Sequence, residues 1–461
     1  MSVSHGGNRQ RELFARSKRP TIPIEENHRL VQLTDQLDWT EIEELAEGIR
    51  RGKLKNAAGR PPHLRTLLGA MVLMATRKMT YREAEDQIRH YAPARYLCGL
   101  TETVWTPDFT TIQDFTELMG EDGLKVINQH VVKLAVAHKL ADPTVVVADL
   151  TAQEAAIPYP NEMGLMAGFV TSVTAASNRA GGALRAFSKK TAAKFKAAKQ
   201  KVREYRLFAK SKEAKDRVVA QMATLIEGVQ RQLAPILKRA DIAPPRVPYA
   251  KVARAKVGQL HETMNKLLPQ IRYWLRTGWV APDKIVSLHI PELYSIVRGK
   301  VGKAVEFGLT WGFTRLRGGF LLATVAKDRR ELVDAKFAVR AVEDHMALFG
   351  KAPRAYAYDR AGHSEKNVTA LKTIGVKDVG LAPRGKTKWA VNDNVRDRLV
   401  KERALVEGGI GAVKSARYGF HRPAARSVTM MEACGQRAVL GFNLNKMVRE
   451  LARRNEMAVV G

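Results

Sequence analysis

Three consecutive valines closing on an acid, in Thr144-Val-Val-Val-Ala-Asp149, do most to limit what this chain can fold into. From residue 26 to about residue 140 apolar residues recur at helical spacing, and at Thr144 the period changes. A continuous β-branched run reads as a strand buried on both faces, and such strands belong to sheets covered by helices. A carboxylate at its end is costly unless it is paired or holds a metal ion. Ala355-Tyr-Ala-Tyr-Asp359 repeats the design, a buried-type strand closed by an acid.

Between these two strands the chain alternates in character. Residues 181–284 read as a basic helical insertion, with Phe187, Phe195, Tyr205, Leu207 and Phe208 spaced among lysines such as those of Lys189 to Lys201. Strand patterns resume at Ile285–Ile290, Leu293–Val297, Glu306–Thr314 and Gly319–Val325, with Leu316-Arg-Gly-Gly319 as a hairpin turn. A helix over Arg329–Leu348 leads to the Asp359 strand, and Ser364 and Gly375 bound the next helix. Val376–Leu381 is a further strand. Capping boxes are expected at Thr80-Tyr-Arg-Glu83, Thr110-Thr-Ile-Gln113 and Thr429-Met-Met-Glu432.

The domain reading is a basic arm over 1–25, a helical DNA-binding region over 26–140, and a first sheet segment over 141–180. The insertion over 181–284 and the remainder of an α/β core over 285–461 complete it.

A third acid comes from Arg398-Leu-Val-Lys-Glu-Arg-Ala-Leu-Val-Glu-Gly-Gly-Ile-Gly-Ala-Val-Lys414. As a helix, it sets Arg403, Glu407 and Lys414 at roughly 0°, 40° and 20°, one carboxylate with two cations on a single stripe. Gly408, Gly409 and Gly411 crowd that stripe, as if another backbone or a ligand came close to Glu407. Glu402 is an alternative acid, turned about 100° from Arg403. Three carboxylates gathered in a small space repel unless cations lie among them, and all-oxygen ligation favours Mg²⁺ or Mn²⁺. Two such ions suit phosphodiester displacement. Arg384 and Lys386, in the loop after the last strand, are further candidate phosphate contacts, and His289, His363 and His421 are candidate proton carriers of lesser weight.

Charge names the partner. The 77 Lys+Arg residues exceed the 46 Asp+Glu residues, for a net charge of +31, and a surplus of that size suits a polyanion such as DNA. No apolar run approaches the ~20 residues that span a bilayer. The two cysteines lie far apart, which argues against a disulfide framework. The expectation is a protein of the cytoplasm that works on nucleic acid.

In order along the chain, Ala148-Asp149-Leu-Thr-Ala-Gln-Glu154 with Ile157-Pro-Tyr-Pro160, Arg298 to Gly308, Tyr358-Asp-Arg-Ala-Gly-His363 and the Arg403, Glu407, Lys414 block resemble segments of one family. That family is the DDE transposases of bacterial insertion sequences. Its third-acid block reads Tyr-x2-Arg-x3-Glu-x6-Lys, and Val400 stands here at the Tyr position. The resemblance runs from about Gly59 to the end. It implies an α/β fold of RNase H-like type, a mixed five-stranded sheet preceded by a helical N-terminal domain and interrupted by a helical insertion. It further implies metal-dependent cleavage at the element's ends and strand transfer into target DNA by a homo-oligomer assembled on the DNA, within the bacterial nucleoid. Asp149, Asp359 and Glu407 would hold Mg²⁺ or Mn²⁺, as two ions, while Arg403 and Lys414 would bind phosphates. The alternatives are another nuclease on the same core, such as a junction resolvase, and a basic DNA-binding protein derived from a transposase.

Overall fold

The computed structural model describes residues 24–54, 62–101, 103–239, 248–300, 303–328, 330–383 and 388–460. The chain divides into two compact units, residues 1–74, 79–118 and 448–461 in one, and residues 75–78 and 119–447 in the other. The boundary falls inside three long helices.

The first unit is helical. It holds α1 (Arg29–Gln36), α2 (Trp39–Lys53), most of α3 (Leu64–Arg77), α4 (Tyr81–His90), α5 (Ala92–Leu97) and the first turns of α6 (Phe109–Ala137). Its core is built from Leu30, Leu33, Ile42, Leu68, Ala84, Ile88 and Leu97, all fully buried. Local chemistry sets the helix starts. Asp38 accepts from Glu41 N at 3.1 Å to cap α2. Thr80 and Glu83 close the expected capping box on α4, with bonds of 3.2 and 2.6 Å. The box expected at Thr110 is replaced by Asp108, which accepts from Thr111 N at 2.8 Å, because a carboxylate one turn back outcompetes the hydroxyl. Arg65 lies over the Trp39 ring at 3.4 Å and donates to Leu97 O at 2.6 Å, and burial lowers its pKa to about 10.

The second unit is an α/β fold. Its centre is β1 (Asp142–Glu154), followed after the helical insertion by β2 (Tyr294–Lys300), β3 (Lys303–Arg317), β4 (Leu321–Val325), β5 (Ala355–Tyr358) and β6 (Asp378–Leu381). Among the described residues these form one mixed sheet of six strands. Strand β3 runs antiparallel to β1 with Asp149 opposite Phe313, whereas β5 runs parallel to β1 and β6 parallel to β5. The expected count of five strands is corrected here. At 15 residues β3 is long enough to take two partners on one edge, β2 against Val305–Gly308 and β4 against Trp311–Arg315. The β3–β4 hairpin turns at Gly318 and Gly319, whose φ values of +97° and +89° explain the glycine pair.

Alternation along β1 sorts the two faces. Val145 and Val147 enter a core with Trp311, Phe313, Phe420 and the helix α14 (Asp393–Lys414). Val146, Ala148 and Leu150 meet Tyr356, Tyr358 and the helices α12 (Asp334–Phe349) and α13 (Glu365–Ile374). Ser364 caps α13 through Asn367 N at 3.1 Å and Gly375 ends it in the left-handed region, as expected. The last helix, α15 (Val428–Val460), is capped by Ser427 rather than Thr429. Glu432, itself buried, is drawn instead into an ion pair with the exposed Lys327 at 3.0 Å. Asn443 of α15 accepts from Leu321 N at 3.0 Å and donates to Leu321 O at 2.6 Å, so a side chain does the work of a neighbouring strand at β4.

The insertion has its own core. Helices α7 (Glu162–Ala180), α8 (Gly182–Lys190), α9 (Ala192–Leu207), α10 (Lys212–Lys238) and α11 (Pro248–Thr277) bury Phe169, Val173, Phe195, Met222, Ile226, Leu260 and Met264 together. The insertion therefore begins at α7, earlier than residue 181, because α7 turns its apolar face to these helices and not to the sheet. Glu162 and Lys284, at the two ends of the insertion, form an ion pair with side chains 14% and 17% exposed. The strand expected at Ile285–Ile290 is absent. Ile285 and Leu288 serve the helical core while Val286 and Ile290 serve the sheet core, so the alternation feeds two cores and no ladder. Side chains replace the ladder bonds, with Ile285 N donating to Gln270 and Ile290 N to Ser287.

Candidate active site

Asp149 lies within β1, which continues five residues past it to Glu154, and is not its last residue. Odd positions of β1 face α14, so Asp149 and Thr151 share the face of Val145 and Val147. The parallel register pairs Val147 with Ala357. Carried two residues further, it sets Asp149 level with Asp359, which follows directly on β5. Asp359 opens the short turn Arg360–Gly362 and accepts from Arg360 N at 2.5 Å, while Asp149 accepts from Leu150 N at 2.8 Å. On the opposite face the Tyr356 hydroxyl is pushed well above its ordinary pKa, first by burial and then by the charge of Asp149. Tyr358 shifts the same way, and its hydroxyl donates to Asp334 at 3.0 Å. Both phenols stay protonated beside the acid.

Helix α14 brings the third acid. Asn392 caps it through Val395 N at 3.0 Å, and Leu399, Val406, Ile410 and Val413 seat it on the sheet. The neighbouring stripe carries Arg403, Glu407 and Lys414. Arg403 Nη1 stands 3.3 Å from Asp359 Oδ1 and 3.9 Å from Glu407 Oε1. Lys414 Nζ donates to Thr151 Oγ1 at 2.9 Å, so the helix is tied to β1 two residues from Asp149. The side chains of Asp359 and Glu407 are 46% and 63% exposed, open to a large substrate. Thr151 was not singled out from sequence; its position two residues after an acid on a strand was the available signal.

Other residues fall elsewhere. Glu402 turns to β3, where it pairs with Arg315 at 2.8 Å and Arg317 at 3.1 Å and is 14% exposed. Val400, at the position of the family tyrosine, is exposed one turn before Arg403. Arg384 and Lys386 lie outside the described residues. His289 contacts Ser172 at 3.4 Å, and burial lowers its pKa. His363 closes the turn after Asp359. The glycines of α14 meet no close backbone: a Cβ at Gly408 or Gly411 would have nothing within 4 Å, and one at Gly409 would make only ordinary contact with Leu321. Among the described residues no group of three or more His, Cys, Asp and Glu side chains is arranged to hold a metal ion. The cation present between Asp359 and Glu407 is a guanidinium.

Fold and site together define a basic α/β protein with a half-buried carboxylate on β1, more open ones after β5 and on a covering helix, and Arg403 and Lys414 beside them. Residues 20–118 match the family model described as a transposase domain (DUF772). Comparison with curated proteins and with solved structures finds no match. No helix among the described residues is long and apolar enough to cross a membrane.

Proposed function

We propose that this chain cuts DNA at the ends of an insertion sequence and joins the freed 3′-hydroxyl to target DNA, on an RNase H-like core. The observation that carries the reading is the gathering of Asp149, Asp359 and the Arg403–Glu407 pair on one face of the sheet. The strand order β2-β3-β1-β5-β6, with β4 also paired to β3, supports it, since antiparallel pairing lies on one side of β1 and parallel pairing on the other, as in an RNase H-like sheet. The helical region of residues 20–118 supplies DNA binding in this reading, consistent with the matched family.

The donor set suits Mg²⁺ or Mn²⁺. Asp149, Asp359 and Glu407 offer hard oxygens, and the Arg403 guanidinium between two of them marks a place where positive charge is already favoured. When bound, such ions, as a pair, lower the pKa of an attacking water or hydroxyl and offset charge on the leaving oxygen. The chain's own groups do the rest. Arg403 can exchange its carboxylate partners for a DNA phosphate, which its planar fork grips on two oxygens. Lys414, held by the Thr151 hydroxyl, places a second cation along the same stripe for the next phosphate. Exposure of Glu407 leaves the backbone of a duplex free to approach.

The test is incubation of the protein with labelled DNA bearing the element's own ends and Mg²⁺. Nicks at the ends and joined products are expected. Nicks that are never joined would move the reading to a nuclease of the resolvase type. DNA binding without cleavage in Mg²⁺ or Mn²⁺ would leave a non-catalytic DNA-binding protein.

A further inference from the structure

Helix α9 is two-faced. Phe195 and Ala198 are buried, Val202 and Tyr205 pack partly against the same core, and Phe187 of α8 meets Phe195 edge-on at 6.4 Å. That face fixes the helix. An adjoining face, centred about 100° round the helix from the buried one, carries Lys196, Lys199, Arg203 and Arg206, all exposed and spaced three, four and three residues apart. At about 100° per residue they fall within about 80° of one another, and at 1.5 Å rise they span about 15 Å. The one acid on α9, Glu204, is taken up by Lys201 at 2.7 Å. Leu207 continues the stripe and Phe208 caps the helix, and they are 51% and 68% exposed. A cationic track thus ends in two apolar side chains turned to solvent, on a rigid support.

We infer that this face of α9 is a second DNA-binding surface, in which the four cations follow a phosphate backbone and Leu207 and Phe208 contact bases where the duplex is opened or unpaired. It rests on the DNA-processing reading above. Fifteen ångströms of track matches about four phosphates of one strand, which are about 3.4 Å apart along the duplex axis. Four cations with no competing acid fit that partner better than a protein surface of mixed charge. Exposed apolar side chains beside such a track have a use on DNA because they can enter or cap a base stack that has come apart. A fully paired duplex offers them nothing but its charged backbone.

The experiment measures binding by the full-length protein in EDTA, so that no cleavage enters. Two probes are used, a fully paired duplex and the same duplex with several unpaired nucleotides at one end. The quadruple variant Lys196→Gln, Lys199→Gln, Arg203→Gln, Arg206→Gln should bind both probes about tenfold or more weakly, and its log affinity should fall less steeply with log salt, by about 3 to 4 in slope. Leu207→Ser with Phe208→Ser should leave the paired duplex and the salt slope unchanged. It should lose about 5- to 100-fold on the unpaired probe, the range for a base stacked on an aromatic ring. All changes lie on the exposed face, and an unchanged melting temperature confirms folding. If the wild type binds DNA and the quadruple variant binds equally well, the inference is overturned while the transposase reading stands. If the wild type binds neither probe, the transposase reading itself fails. Variants that alter sedimentation of the free protein while leaving DNA affinity intact would assign the face to a second copy of the chain.

Discussion

Arg403 on α14 and Asp359 at the end of β5 stand 3.3 Å apart, and the same guanidinium nitrogen lies 3.9 Å from Glu407. One cation thus holds two acids that came from separate parts of the chain. Removing it should leave them repelling. Arg403→Gln should bind Mn²⁺ more tightly than the wild type in the absence of DNA, by about fivefold, the worth of one unit charge near 4 Å in water. It should also lose DNA cleavage. Titration calorimetry with Mn²⁺ alone is the check, and equal affinities would show that Arg403 does not compete for the acids.

The acids themselves should matter for chemistry and not for binding. Asp149→Ala, Asp359→Ala and Glu407→Ala are each expected to abolish cleavage of labelled end DNA while retaining affinity for it, since members of one unit do not act additively. Thermal stability in EDTA should hold or rise slightly as repulsion eases. Normal cleavage by all three would place the site elsewhere.

Glu402 is the contrasting case. It joins α14 to Arg315 and Arg317 of β3, and its loss leaves Arg315, itself buried, without this partner. Glu402→Ala should therefore destabilise the fold by about 2–3 kcal/mol, since a buried charge deprived of its partner is costly. The folded fraction should still cleave DNA. Urea unfolding alongside the cleavage assay separates the two effects.

His345 gives a dependence on pH. It is 1% exposed, its Nδ1 has no hydrogen-bond partner, and burial lowers its pKa from 6.5 to about 4. The neutral ring is favoured in the folded chain, so its contribution is complete above the unfolded pKa. It is lost as pH falls from about 6.5 to about 4, by about 3 kcal/mol in all. His345→Leu should flatten the stability profile across that window in urea melts at stepped pH. A profile unchanged by the substitution would count against this origin.

How much of this was legible beforehand depended on range. The buried strand of Val145–Val147 showed itself through its β-branched side chains, and the acid beyond them marked out Asp149, though as the strand's end. The helical stripe of Arg403, Glu407 and Lys414 followed from angles. What the angles could not say was which strand end lay beneath the stripe, and so that Arg403 would find Asp359. Nor could they find Arg315 and Arg317 for Glu402, since those partners sit on a strand some 85 residues away. Helix α7 was assigned to the sheet segment because apolar period reveals a buried face but not what covers it. All six strands had a pattern in the sequence, and the count of five came from the resemblance; only the pairing along β3 shows that one edge receives both β2 and β4.

The Glu162–Lys284 pair has a consequence for how the molecule assembles. The two residues are 122 positions apart, yet they sit side by side at the stem of the insertion. An unstructured loop of that length would oppose the meeting of β1 with β3 by about 4 kcal/mol of closure entropy, from (3/2)RT ln n. Helices α7 to α11 share a core of their own, so their folding as a unit would draw the stem shut. The strand bearing Asp149 then meets its antiparallel neighbour across a short gap. Loosening the stem, as with Lys284→Ala, should slow folding of the sheet more than it changes the folded sheet itself.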